Sequence, residues 1–339
     1  GVAALQGNGS AKAARTSMNP LDRRQLSREI WQEVFGDGDA FLDLYFGRVY
    51  QDDETDLLIG YGGAPKAIAH TGRVSYTFRL WGERIEAAYI SGAATLASER
   101  GRGLMPALLR SAHTKMYQTG KLLAFLIPAE PWLYDYYQRK FGYAKVCYRS
   151  VSQPNSPRLT PPPQLCKQAS SEGYIHYIRQ RQGWTMGHLE HTYPQWKSVI
   201  EDALLSGGGY TQEGVIRLLE EGECSQFVAT QLPIKEGLAY HQVVTPPLGE
   251  GLEPHGMMRV VKIPQLLALY AKKHPNVEWQ LDLFDAMLRP NTGRYRLKKG
   301  KCLFTPLPPK SLQKNILTPS HLLEQLFADT PFYIDLMLD

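Results

Sequence analysis

The sequence predicts an α/β protein built on mixed (α+β) sheets, and three observations carry the prediction. From Leu21 the apolar residues follow the period of an α-helix, and after Leu57 they give way to strand-like runs separated by glycines. A strand then meets an amphipathic helix through "SERGRG". That helix leads into "KLLAFLIP", a continuous apolar run of the kind seen in strands buried on both faces. The third observation is length: 339 residues exceed one ordinary core, and at ~150 residues per domain they amount to two or three units.

Taken in order, residues 1–20 are small, polar and without period. They lack the apolar stretch of a signal peptide and are set aside as a leader, with Met18 a candidate initiator. Leu26, Ile30, Trp31, Val34 and Phe35 then mark one face of a helix. "GDGD" (Gly36–Asp39) breaks it and offers an N-cap aspartate to a second helix carrying Phe41, Leu42, Tyr45 and Phe46. Four strands are predicted at Leu57–Tyr61, Ala67–His70, Val74–Leu80 and Ile85–Leu96. The next helix aligns Met105, Leu109, Ala112 and Met116 and ends at Gly120, where a C-terminal glycine is expected. After the buried strand, Pro131 opens the short helix "WLYDYYQRK", and "FGYAKVCYRSV" is a further strand. Residues 21–151 thus form one compact unit.

"QPNSPRLTPPP" makes 152–164 a stiff polar linker. Residues 165–251 give a helix ending near Leu205, a glycine break, a helix at Glu213–Glu221, and strands near Gln226–Leu232 and Leu238–Val244. Residues 256–339 form the last unit. It has a strand at Met257–Val261, a helix entered through Pro264, the alternating strand "VEWQLDLF", a turn at Asn291–Gly293 and the strand "RYRLKK". A final helix is opened by Thr318-Pro319.

Composition excludes several classes. The net charge of +5 is modest and its lysines and arginines are scattered, which argues against a nucleic-acid partner. No apolar run reaches the roughly 18 residues of a membrane span. The four cysteines lie far apart with no C-x-x-C pair, the pattern of a reduced, cytoplasmic protein without a structural zinc. His188 and His191 are three apart and invite a metal reading, but no Cys or carboxylate joins them at ligand spacing. A surface or packing role is expected, and no metal.

The chemistry concentrates at Arg100, Gly101, Arg102 and Gly103. A helix N-terminus carries unpaired amides and about half a positive charge, so it attracts anions. Glycines let the backbone come close, the arginines add charge, and a pyrophosphate is the natural guest. The plain alternative is a glycine turn with exposed arginines. A P-loop fails for want of a Lys-Ser or Lys-Thr pair after the second glycine, and Gly60-Tyr61-Gly62-Gly63 is no G-x-G-x-x-G.

The pattern R-x-x-G after a long strand and before an amphipathic helix resembles the acetyl-CoA site of the GNAT N-acetyltransferases. The buried strand and the aromatic helix ending in "KFGY" (Lys140–Tyr143) resemble the next two elements of that family. Met105 departs from the usual Gly or Ala at the motif's sixth position. "YISGAATLASERGRGLM", "FLIPAEPWLYDYY" and "MMRVVKIPQLLALY" are similar to the enhanced-intracellular-survival (Eis-like) members. The resemblance is specific over 21–151, fair over 256–339 and weak between. It implies a catalytic GNAT domain, a second GNAT-like region without the cofactor motif, and a C-terminal sterol-carrier-protein-like domain.

The resemblance also implies direct acetyl transfer from acetyl-CoA to a primary amine of a small molecule or peptide. The pyrophosphate would be held by the amides of Arg102, Gly103, Leu104 and Met105, beside the Arg100 and Arg102 side chains and the turn at Gly101. Pantetheine would pair with Ala93, Ala94, Thr95 and Leu96, and that strand would supply the oxyanion donors. A tyrosine on the aromatic helix is the family's acid. Here its usual position falls on Gln138, so Tyr137 is chosen first and Tyr134 second, with Tyr136 beside them. The family's base is the C-terminal carboxylate; here Asp339 would bring two carboxylates, and whether either of them acts or the terminus is only structural stays open. Independently, Phe332, Ile334, Leu336 and Leu338 alternate up to the end, as in a docked strand. Self-association is a further implication. The rival reading is a protein that binds CoA, acyl-CoA or lipid without turnover. The acceptor stays open.

Overall fold

The computed structural model describes residues 2–5, 19–153, 164–218, 223–230, 241–313 and 315–338. Val2–Leu5, set aside on sequence, forms β1 and runs parallel to Leu57–Gly60. α1 (Pro20–Phe35) and α2 (Asp39–Leu44) follow, the latter continued by a π-helical turn at Tyr45–Val49. Asp39 is not the cap expected of it. Gly38 holds the N-cap position with extended backbone and no side-chain bond, so Asp39 becomes the first helical residue.

β2 (Thr55–Gly60), β3 (Lys66–Leu80) and β4 (Glu83–Thr95) are an antiparallel meander. Where two strands were expected, β3 is one. Its polar middle stays in the sheet because buried Arg73 finds Asp56 on β2, Nε to Oδ2 at 2.7 Å. α3 (Leu104–Gln118) crosses to β5 (Leu123–Leu126), all of whose residues are buried beside parallel β4. α4 (Trp132–Phe141) ends at left-handed Gly142. The strand expected through "FGYAKVCYRSV" divides. Ala144 and Cys147 make only single bridges, and β6 (Tyr148–Ser152) joins a second sheet.

That sheet takes its other strands from the middle region. α5 (Ser171–Arg181), β7 (His188–Glu190), α6 (Tyr193–Leu205), β8 (Gly209–Tyr210), β9 (Gly214–Leu218), β10 (Cys224–Ala229), β11 (Val243–Thr245) and β12 (Leu252–Pro254) follow in turn. The helix expected from Glu213 is β9. Val215 and Ile216 bury against β10, and Gly214 sits so close to the Val228 carbonyl that no Cβ would fit; tertiary pairing overrides local propensity. The remainder of that expected helix, 219–221, and most of the linker lie outside the described residues.

β13 (Met257–Val260), α7 (Ile263–Lys273), β14 (Trp279–Leu283), β15 (Gly293–Lys298), β16 (Lys301–Pro306) and α8 (Pro319–Leu326) complete the chain. β16, unread in the sequence, turns back at Lys299-Gly300. The first sheet runs β1-β2-β3-β4-β5-β13, with β7 added on β3. The second runs β12-β6-β11-β10-β9-β8, and the third β14-β15-β16.

Two consequences position the site. β13 pairs antiparallel with β5, so the last unit lends its first strand to the first sheet. The pairing also closes on itself: from β13 it passes through Ala144 and Cys147 to Phe332, through Tyr333 to His188 on β7, and back to β3. Phe78, Tyr89, Phe125, Met258, Phe332 and Ile334 fill one shared core.

Candidate active site

The site begins with an irregularity in β4. Gly72 pairs with Ser91 and His70 with Ala94, so Gly92 and Ala93 together oppose Thr71. This is a bulge with its first glycine left-handed, φ +60° at Gly92. A Cβ there would run into the indole of Trp31. The bulge carbonyl, pulled out of the ladder, accepts from His70 Nδ1 at 2.7 Å. On the other edge, β4 pairs with β5 only through Ala87–Tyr89, then continues alone to Thr95. Past Tyr89 that edge has no strand partner among the described residues. Ala94 and Leu96 are buried against α1 and α3, while Ala93 and Thr95 are half-buried at the free edge.

Next comes the mouth of α3. Gly101 (φ +80°) and Gly103 (φ +73°) are both left-handed, which explains why both are glycine. Gly103 is the N-cap and gives no side-chain bond, the first turn holds no acid, and Pro106 contributes no N–H. Leu104 is buried and Met105 half-buried, fixing the helix start. Arg100, Gly101, Arg102 and Gly103 are exposed. The Arg100 Nε reaches the Thr95 carbonyl at 3.4 Å, and Arg102 pairs with Glu99. Free amides, fixed charge and the open β4 edge therefore adjoin one another between Ala93 and Met105.

α4 brings its three tyrosines near. Tyr137 is buried among Ile90, Leu109, Ala124 and Phe141, and burial pushes its hydroxyl up to about 12, so it stays protonated. Half-buried Tyr134 accepts the Gly256 N–H at 3.3 Å and is raised too, mainly by burial. Tyr136 packs edge-on against Tyr137 and Phe141. Gln138 turns away to Glu324.

The C-terminal segment is held more firmly than alternation implies. Phe332 through Leu338 are all buried, with no exposed side between them. Tyr333 exchanges backbone bonds with Gly187 and Leu189, and Arg181 forms a two-pronged pair with Asp335 at 3.0 and 2.5 Å. His191 donates from Nε2 to the Leu336 carbonyl (3.0 Å) while its Nδ1 takes the Tyr177 hydroxyl (2.7 Å). His188 and His191 thus lie on a strand and the loop after it, not on a helix, and His191 holds the tail. Its burial lowers it to about 4, so it stays neutral. Asp339 lies outside the described residues.

Leu338 borders a cavity of about 520 Å³, with Tyr76, Ser75, Glu54, Lys121 and Gln195 also in its wall. It opens where β3 has lost β2 and not yet met β7. Side chains replace the missing strand there. Ser75 donates N–H and Oγ–H to Glu54 (2.8 and 2.7 Å), and its carbonyl accepts from Gln195 at 2.9 Å.

Beside that open strand edge and uncapped, glycine-rich helix mouth stands a match along the chain: residues 22–146 match the family model described as acetyltransferase (GNAT) domain. Among solved structures, the chain is similar to Eis1 from Mycobacterium abscessus, at TM-score 0.61 and 15% identity over 90% of this chain and 87% of that one. A GCN5-related N-acetyltransferase from Anabaena variabilis gives TM-score 0.63 at 14% identity over 94% and 98%. One from Kribbella flavida gives 0.62 at 13% over 96% and 97%. At such identities these likenesses show the fold. No curated protein matches the sequence.

Sequence reasoning brought Ala93–Met105 and the tyrosines together but missed His70, Arg181 and Asp335. A polar residue inside an apolar strand pattern, as His70 is, was the available signal. Arg181 and Asp335 stand 154 positions apart and carried none. Among the described residues no helix is long and apolar enough to cross a membrane, the four cysteines are free, and no group of three or more His, Cys, Asp and Glu is placed to hold a metal.

Proposed function

We propose that the protein is an acetyl-CoA-dependent N-acetyltransferase of Eis-like architecture, acting in the cytoplasm on a primary amine. The observation that carries this is the free β4 edge running into the uncapped α3 mouth. A pantetheine arm needs strand-like partners and a pyrophosphate needs unpaired amides, and here they are consecutive. In this reading Ala93–Leu96 pair with pantetheine, and Arg100–Met105 hold the pyrophosphate. The unit at 256–339 is a sterol-carrier-like domain that supplies the tail.

The acceptor nitrogen attacks the thioester carbonyl, and strand amides stabilise the oxyanion. Collapse breaks the C–S bond. The amine proton passes to a carboxylate at Asp339, and the departing thiolate takes a proton from Tyr137 or Tyr134. Products are the N-acetyl amide and CoA. The cavity bordered by Leu338 is the acceptor side. Self-association is part of the proposal, and neither a metal nor a nucleic acid has a role.

The test measures CoA release from acetyl-CoA against a panel of amines, for the intact chain and for one lacking Asp339. Amine-dependent release that collapses without Asp339, while CoA still binds, is the expected result. Release that survives sinks the terminal base only. Tight CoA binding without release from any amine favours the non-catalytic rival, which the buried Tyr137 side chain would suit.

A further inference from the structure

The β4 bulge has a support to which acetyl transfer, as proposed, gives no part. We infer that His70 is a positioning residue: its imidazole pins the Gly92 carbonyl so that the next amide, that of Ala93, is presented to the thioester. This rests on the acetyl-transfer reading and assigns it a further residue.

A bulge removes a carbonyl from the strand ladder, and a carbonyl left unpaired in a buried place is costly and free to turn. At Gly92 the missing strand donor is replaced by a side chain, His70 Nδ1, at 2.7 Å. A carbonyl can only accept, so the proton sits on Nδ1 and Nε2 carries a lone pair. Nε2 is itself buried without a partner, so Gly92 alone orients the ring by hydrogen bonding. Packing completes the fixture. Trp31 stands edge-on to the imidazole with centroids 5.9 Å apart, and it also blocks the face of Gly92. Tyr45 reaches over to bond Ser91 Oγ at 2.8 Å, holding the residue just before the bulge.

Peptide geometry supplies the consequence. In a trans peptide the carbonyl and the following N–H point in opposite directions. Fixing the Gly92 oxygen on His70 therefore aims the Ala93 N–H away from the imidazole. β3, which bears His70, lies on one side of β4, and the unpaired edge lies on the other. The Ala93 N–H is thus offered where the thioester would lie. Such a donor serves the transition state only if its direction is set beforehand. An unsupported bulge with a left-handed glycine could rotate that peptide.

Few charges act at this point. Burial, helped by the Arg23 charge, outweighs the Gly92 hydrogen bond and Asp56, which favour the charged ring, and lowers His70 to about 4. The ring is therefore neutral throughout the working range and fixed in one tautomer.

The experiment compares wild type with His70→Asn, His70→Gln and His70→Leu by amine-dependent CoA release and direct CoA binding. An asparagine amide can occupy the place of Nδ1, a glutamine amide the place of Nε2, and leucine neither. His70→Asn should keep kcat within about threefold, while the other two lose roughly tenfold to a hundredfold. The KM for acetyl-CoA should move less than about threefold in all of them. Equal losses in all three, or an unimpaired His70→Leu, would overturn the assignment and leave His70 as packing. Should the variants not fold, imidazole ¹⁵N shifts of the wild type decide instead: a proton on Nε2, or a charged ring at neutral pH, overturns it. A wild type that binds CoA but acetylates nothing removes the transfer reading and this role with it. An active wild type with indifferent variants removes this role alone.

Discussion

The mouth of α3 and the C-terminal tail are both called on by the proposed chemistry, and they are built in opposite ways. The mouth is local and open: Gly101 and Gly103 turn within three residues, no side chain caps the helix, and its amides stay available. The tail is non-local and closed. Arg181, His191, Gly187 and Leu189 come from the middle region to hold a segment about 145 to 154 residues further on, and its side chains from Phe332 to Leu338 are buried. An anion site must leave donors unsatisfied until its ligand arrives, whereas a terminus that would otherwise fray must be held by packing and hydrogen bonds along its length. α6 sharpens the contrast. Its start has a full capping box, with Thr192 and Gln195 satisfying each other's backbone N–H groups, which are therefore not offered to a ligand.

The largest effect should come from breaking the tail's anchor. Arg181→Ala leaves Asp335 buried without its partner, and roughly 3–5 kcal/mol of stability should be lost in chemical denaturation. Arg181→Ala with Asp335→Ala should cost clearly less than the sum of the two single changes. Additive losses would mean that the pair does not act as one anchor.

Acid should destabilise both regions, because each contains a buried neutral histidine. His70, His113 and His191 are each lowered by burial from 6.5 to about 4. Between those values the unfolded chain binds protons that the folded chain refuses. Stability is therefore full above about pH 6.5 and falls as pH drops toward 4, more steeply than carboxylates alone would give. Denaturation midpoints taken across that window would test this; a flat profile would contradict the neutral, buried histidines.

For the acid, Tyr137→Phe and Tyr134→Phe should separate. One of them should lose about 100-fold in kcat with CoA affinity unchanged, and the other should lose little. If neither changes kcat, the acid is not on α4.

The smallest effects compare the two helix mouths directly. Gly103→Ala must hold an alanine at φ +73°, costing about 1 kcal/mol, and should also weaken CoA binding measured by calorimetry. Thr192→Ala should cost about the same in stability through its lost cap and leave CoA binding untouched. Equal CoA affinities in the two variants would erase the distinction between an open mouth and a capped one.

Legibility in the sequence follows the same division. The strand, turn and helix around Arg100–Gly103 were readable because glycine conformation and helical period act within a few residues. α7 and α8 were equally plain, through Pro264 and the Thr318 cap, whose Oγ1 does receive the His321 N–H at 3.2 Å. The helix expected from Glu213 failed because burial against β10 outweighed its own preference. The break expected at Gly72 failed because Arg73 finds Asp56 across the sheet.

By itself, then, the sequence determined the mixed α/β class, the glycine-rich start of α3 and the aromatic helix after it, since propensity, period and capping are properties of neighbours along the chain. Only the tertiary structure decided that β13 extends the first sheet, that the tail is locked between Cys147 and β7, and that His70 grips the bulge at Gly92. Those depend on pairing energies between residues tens to hundreds of positions apart, which become definite once the core has brought them together.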